Sequence, residues 1–444
     1  MLPICQMVFL MRWIYSAVYY LILPFVLGRL AWRGIKAPDY RQRIRERLGY
    51  YQGSHPASVI WFHAVSVGEA EAVFPLVKRM QAQFPAKKIL VTTTTPTGSA
   101  RVKAVLTDTV EHVYLPYDLP GAVGRFLAEF KPELAVIMET EIWPNLFAGC
   151  AENGIPLYMI NARLSAKSAR GYLKIPCLVR PTLAHVSLIA TQTQADADRF
   201  IQIGADESKV RTVGNLKYDI DMAPDIIERG KRLKTELFAG RFVWIIASTH
   251  KHEEDIFLEL YRDIKADIPD LLVLIVPRHP ERFAEVERLC RQAGLNVATR
   301  SSGRPCTKDT DVFLLDKMGE LKLFYAAADL AFVGGSMVPV GGHNILEPAA
   351  LGVPTLFGPH MNNFKEIERK ILECDAAIQC RDEQEIGATV RSLYADRERR
   401  KELAKRGRQF IEQNRGTLDR VVQILSDDLS RTGHAAPSSL FRVG

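Results

Sequence analysis

A chain of 444 residues is longer than one hydrophobic core usually holds, so two ordinary domains with additions are expected. Hydrophobic residues at 47% and charged residues at 25% exclude both a disordered chain and a polytopic membrane protein. The formal net charge of +7 suits an anionic surface, and since no basic stripe interleaved with aromatics recurs, no nucleic-acid partner is expected.

The first element is apolar. Trp13 to Gly28 runs without a charge. This is shorter than the roughly 20 residues that span a bilayer, but Met7 to Met11 extend it if Arg12 snorkels to the headgroups. The segment is read as an anchor that either crosses the membrane or lies in its interface. A cleaved signal peptide is disfavoured, because no clear small-x-small site precedes the basic stretch that follows. That stretch, Arg29, Arg33, Lys36, Arg41, Arg43, Arg45 and Arg47, is expected to hold the next domain on the cytoplasmic side against anionic lipid. Seven cysteines without a CxxC pair or metal spacing read as reduced thiols of a cytoplasmic protein.

After this anchor and flank (1–37), residues 38–218 read as a first α/β domain. Strands are expected at Val59–Ala64, Lys88–Thr92, Leu134–Met138, Leu157–Ile160 and Leu188–Ala190, each a short apolar run. Glu69 to Gln83 has helical spacing, with Val73, Leu76, Val77 and Met80 on one face. A polar, helical linker is expected over 219–240. The pattern then restarts in a second domain (241–428), with strands at Phe242–Ser248, Leu271–Val276, Val312–Leu315, Leu330–Val333 and Pro354–Phe357 and a helix around Glu254–Ile264. Residues 429–444 read as a flexible tail. Two doubly wound parallel sheets in tandem imply a cleft, with ligands outside the carboxyl ends of the strands.

The loops at those ends carry the chemistry. Glu69, in Ser66-Val67-Gly68-Glu69, is either a general base towards a sugar hydroxyl or an acid favoured by the helix dipole. Glu139 and Glu141, in the Glu139–Asn145 loop, form an acidic site, unless Glu139 only accepts backbone bonds at the start of the next helix. Arg163 adds a cation after the following strand. Lys217 is a candidate cation for a leaving phosphate, or else ordinary surface charge. In the second domain Arg278 and His279 are placed to grip a phosphate, and Met318-Gly319-Glu320 opens a helix whose amides suit an anion or a base. Val333-Gly334-Gly335-Ser336, followed by Gly341 to Pro348, offers close backbone approach to a phosphate, with Glu347 accepting from ribose. A P-loop and a GxGxxG fingerprint are both missing, so ATPase and dehydrogenase chemistry are disfavoured. Neither a metal nor another cofactor is expected.

Together, His-Ala-Val-Ser-Val-Gly-Glu at 63–69, Met-Glu-Thr-Glu-Ile-Trp-Pro-Asn at 138–145, Asn-Leu-Lys-Tyr-Asp at 215–219, Pro-Arg-His-Pro-Glu-Arg at 277–282 and Gly-Gly-His-Asn-Ile-Leu-Glu-Pro at 341–348 closely resemble the 3-deoxy-D-manno-octulosonic acid (Kdo) transferases, glycosyltransferase family 30. The resemblance runs from the anchor to about Leu425. It implies a GT-B fold in which the first domain takes the lipid A precursor lipid IVA and the second holds the donor CMP-Kdo. It also implies an inverting transfer with Glu69 as general base and Glu139 and Lys217 as transition-state stabilisers. The CMP-contacting positions would be Pro277, Arg278, Met318, Gly319, Glu320, Asn344, Ile345, Leu346 and Glu347. The implied location is the cytoplasmic face of a bacterial inner membrane. Two rivals are a nucleotide-sugar epimerase, which shares the architecture but needs no membrane segment, and an inactive scaffold, which would not require Glu69 beside intact donor motifs. The number of Kdo units added has no sequence marker.

Overall fold

The computed structural model describes residues 4–434; residues 1–3 and 435–444, including Pro437 of the expected tail, lie outside the described residues. The described residues form two compact units, residues 4–219 with 415–434, and residues 220–414.

In the first unit seven parallel strands, β1 (Val59–His63), β2 (Lys88–Thr93), β3 (Glu111–Tyr114), β4 (Leu134–Met138), β5 (Leu157–Ala162), β6 (Leu188–Thr191) and β7 (Val210–Thr212), lie in the order β3-β2-β1-β4-β5-β6-β7. Phe62 of β1 pairs with Val91 on one side and Val136 on the other. The middle strands are buried on both faces, which is why they read as continuous apolar runs. The strand order reverses between β1 and β4, so the loops after these two strands diverge and leave a crevice for a ligand.

The second unit repeats the plan with β8 (Phe242–Thr249), β9 (Leu271–Pro277), β10 (Val297–Thr299), β11 (Val312–Leu314), β12 (Leu330–Val333), β13 (Thr355–Phe357) and β14 (Ile378–Gln379). Their order is β10-β11-β9-β8-β12-β13-β14, all parallel, with the reversal between β8 and β12. Two doubly wound units in tandem are the parts of the GT-B fold.

The expected domain limits need correcting at two places. Residues 219–240 are not a free linker: the helix Ile226–Phe238 belongs to the second unit, where Gly230 lies against Ala326, Phe238 packs edge-on against Phe313 and Lys234 pairs with Asp329. The second domain also ends before 428. The helix Thr417–His434 returns to the first unit because Val421, Val422, Leu425 and Leu429 form an apolar stripe in the core that holds Val73 and Val77. Residues 429–434 of the expected flexible tail are therefore helical. Asp219 anchors this return, its carboxylate accepting the amides of Gly416 at 2.5 Å and Leu418 at 2.7 Å.

The N-terminal helix Ile4–Lys36 contains an apolar segment, Leu10–Ile35, of mean hydropathy 1.5, long enough to cross a membrane. Most of it is uncovered, with Leu21 74% and Phe25 79% exposed. One side is docked on the first unit. Arg12, expected to snorkel, donates to Glu152 at 2.8 Å, and Ser16 bonds Asn145. The basic flank also divides. Arg47 is buried over Tyr114 and donates to the Thr94 carbonyl, and Arg43 pairs with Glu46 and donates to the His112 carbonyl, so these two serve the fold rather than a lipid surface.

Candidate active site

The first cluster stands where the strand order of the first sheet reverses. Ser66 caps the helix Val67–Gln83 by accepting the Glu69 amide, while the Glu69 carboxylate accepts the Val65 amide at 2.8 Å and the Ser66 hydroxyl at 2.9 Å. This is a reciprocal cap, a local role for an acid in the first turn of a helix. Glu69 also holds its proton more tightly than an ordinary carboxylate. Burial is the main cause and the neighbouring Glu139 charge the next, with Lys217 among the groups opposing them.

Glu139 follows β4 with φ at 57°, a left-handed conformation that is strained for a residue with a Cβ. Its carboxylate lies 3.4 Å from Arg163, so the cation expected after β5 meets it. The alternative assigned to Glu139, capping the next helix, is performed by Asp118. That buried carboxylate accepts the amides of Asn145 at 3.0 Å and Leu146 at 2.8 Å. Glu141 completes the group, pushed up to about 7 by burial and by Glu69.

Lys217 sits in a short turn fixed by amides. Asn215 accepts the Lys217 amide at 2.9 Å and donates to Gln192 at 2.8 Å; Gln192 donates to the Asn161 carbonyl; and the Asn161 side chain accepts the Leu216 amide at 3.0 Å. Asn161 and Gln192 were not singled out in the sequence. Their signal is faint: Asn161 is a polar residue near the end of β5 and Gln192 one just after β6, and only the fold shows that both support the same turn. His63 at the end of β1 is fully buried and is pushed down to about 4 by burial, which keeps its imidazole neutral.

The second cluster lies at the corresponding end of the second sheet, around β8, β9, β11 and β12. Its centre is a residue the sequence reading missed. Glu253, fully buried, accepts the amides of His250 at 3.0 Å, Gly335 at 2.7 Å, Ser336 at 3.1 Å and Met337 at 3.0 Å. The glycine-rich loop after β12 was expected to bring its backbone to a phosphate, but those three loop amides are engaged by a carboxylate of the protein itself. Beside it Glu254, also fully buried, accepts Thr249 at 2.7 Å and both terminal guanidinium nitrogens of Arg282 at 2.6 and 3.2 Å. This fork fixes the turn after Pro277 and with it Arg278, whose amide donates to the Thr249 carbonyl at 3.0 Å.

The remaining candidates divide by what they present. Met318 is exposed and Gly319 takes φ 88°, while Glu320 is held by Arg300 at 2.7 and 3.2 Å, which pulls its carboxyl below the usual range. Asn344 accepts the Leu346 amide at 3.1 Å. The side chains of Ile345 and Leu346 are fully buried, so these two positions can offer a ligand only backbone. Glu347 stands in the first turn of the short helix Leu346–Ala350. A cavity of about 130 Å³ lies between the N-terminal helix and the first unit, near Arg12 and Asn145. Glu69, Glu139, Glu141 and Lys217 do not line it.

Residues 42–220 match the family model described as 3-Deoxy-D-manno-octulosonic-acid transferase (kdotransferase). The 3-deoxy-D-manno-octulosonic acid transferase of Haemophilus influenzae is 39% identical over 423 residues, covering 95% of this chain and 99% of that one. The C-terminal CMP-Kdo binding domain of WaaA from Acinetobacter baumannii is 36% identical, covers 43% of this chain and 99% of its own, and superposes with a TM-score of 0.41. A UDP-GlcNAc 2-epimerase from Neisseria meningitidis shares the fold alone, at 14% identity and a TM-score of 0.52 over 84% of this chain and 100% of that one. At that identity and near-complete coverage of the Haemophilus enzyme, the chain belongs to the Kdo transferases, glycosyltransferases of lipopolysaccharide biosynthesis.

Proposed function

We propose that the enzyme moves Kdo from CMP-Kdo to lipid IVA with inversion at the anomeric carbon, using Glu69 as general base. The observation that carries this reading is the group of Glu69, Glu139 and Glu141 at the reversal point of the first sheet, where burial and neighbouring carboxylates raise the proton affinity of Glu69 and Glu141. A base with a raised pKa is better matched to removing a hydroxyl proton near neutral pH than an ordinary surface carboxylate. Lys217 and Glu139 act on the charge that develops during transfer. CMP departs through its phosphate, which needs a cation and amides rather than a strong acid. Arg278, with Pro277, the Met318–Glu320 turn and the Asn344–Glu347 backbone, is the donor site in this reading.

The exposed apolar face of the N-terminal helix supports a place at the cytoplasmic surface of the inner membrane, because an acylated acceptor stays in the bilayer. The epimerase fold is the same, so architecture does not separate the two activities; the apolar helix and the family relationship favour transfer. Purified protein, labelled CMP-Kdo and lipid IVA provide the test. Transfer by the wild type and none by Glu69→Ala is expected, with the product ladder counting Kdo units. A folded wild type that transfers nothing in detergent would overturn the reading.

A further inference from the structure

Three imidazoles gather at the carboxyl ends of the second sheet. His250 follows β8, His279 follows β9, and His343 lies in the loop after β12. The Nε2 atoms of His250 and His343 are 2.8 Å apart, with the ring planes 5° from parallel and the centroids 5.0 Å apart. His279 meets His250 edge-on at 5.4 Å.

The backbone makes room for this pair. Gly335 has φ at 65°, and a Cβ there would stand 2.9 Å from Cδ2 of His343 and 3.4 Å from Cδ2 of His250. The same Glu253 carboxylate that fixes the Gly335 amide also fixes the His250 amide, so the loop that admits the rings and the residue that carries one of them share an anchor.

Two ring nitrogens at this distance make one hydrogen bond, so one Nε2 carries a proton and the other is bare. A proton on each would set two N–H groups head to head and open the contact. The surroundings disfavour that second proton. Arg278 and Arg282 bring positive charge from the segment after β9, where His279 also stands, and Glu254 opposes them from the helix after β8. Burial and Arg278 push His343 down to about 3; burial and His279 push His250 down as well.

A phosphate beside Arg278 would reverse this balance. Resting on the donor-site reading above, we propose that the His250–His343 pair takes up a solvent proton when the nucleotide phosphate binds: the proton enters the bare Nε2, the contact between the two rings opens, and the imidazolium then balances the anion. In turnover the anomeric C–O bond breaks with its electron pair going to the phosphate, whose charge rises from one to two negatives. The acceptor hydroxyl proton goes to Glu69, so the proton in the pair is a separate one that comes from solvent.

The test is calorimetric titration of the full-length protein in detergent with CMP at about pH 8, in two buffers of widely different ionisation enthalpy. The wild type should take up about one proton per CMP bound, read from the difference in heat between the buffers. At this pH the free CMP phosphate is already a dianion, its second pKa being about 6, so loss of uptake in His343→Asn and His250→Asn would assign the proton to the pair. CMP binding with equal heats in both buffers overturns the proposal without needing any variant. Unchanged uptake in both variants overturns it too. No CMP binding by the wild type overturns the donor-site reading itself, a result distinct from the other two.

Discussion

Glu141 and Glu69 share one electrostatic environment: the Glu69 charge, added to burial, pushes the Glu141 carboxyl up to about 7. A native pKa above the unfolded value means that the folded state favours the protonated acid. The stabilisation is fully present below the unfolded pKa and is lost as pH rises through 7. Glu141→Gln, which has no charge to bury, should match the wild type near pH 4 and become the more stable chain towards pH 8, by about 1–3 kcal/mol. Urea midpoints at several pH values measure this, and a difference that does not grow with pH would contradict it.

Glu69→Gln keeps the shape and an acceptor for the Val65 amide but cannot take a proton. Its turnover should fall by about 10²–10⁴-fold, the usual worth of a general base, with CMP affinity unchanged. Because Glu69 holds its proton tightly, the wild-type rate should climb with pH as it ionises, and the residual rate of the variant should lack that limb. Parallel pH–rate profiles in the two proteins would remove Glu69 from the role of base.

Arg278→Ala should weaken CMP by about 1.5–3 kcal/mol, the range for a hydrogen bond to a charged group. Equilibrium binding of labelled CMP reports it directly. Normal affinity would move the donor phosphate away from the β9 loop.

Glu253→Ala leaves four amide donors without their acceptor in a fully buried place. A loss of about 3 kcal/mol or more in unfolding free energy is expected, since each unsatisfied buried polar group costs about 1–3 kcal/mol and partial rearrangement recovers some of it. Weaker CMP binding should accompany it, because His250 and the loop after β12 lose their common anchor. Wild-type stability in this variant would show that the amides find other partners.

The inner strands were legible and the outer ones were not, for a physical reason. β3, β7, β10 and β14, all missed, are the four sheet edges, where one flank is open and most side chains are only partly covered. Glu69, Glu139 and Lys217 could be named as candidates because each follows a recognisable strand or junction, and their motifs resemble a known family. Glu253 could not, since an acid in the first turn of a helix is ordinary, and its partners at Gly335, Ser336 and Met337 are distant in sequence. The helix Thr417–His434 carries an apolar stripe, but the spacing of that stripe does not say which core takes it.

The Asp219 clamp on Gly416 and Leu418 makes the second unit an insertion between two pieces of the first. On the ribosome, the segment that seals the first core emerges only after residues 220–414 have been made. At elongation rates of about 5–20 residues per second, that leaves the groove for Val421 and Leu425 open for roughly 10–40 seconds. The newly made chain therefore carries an unfinished apolar seam as well as its exposed apolar N-terminal helix during synthesis, and the seam stays open to other apolar chains until the last helix docks.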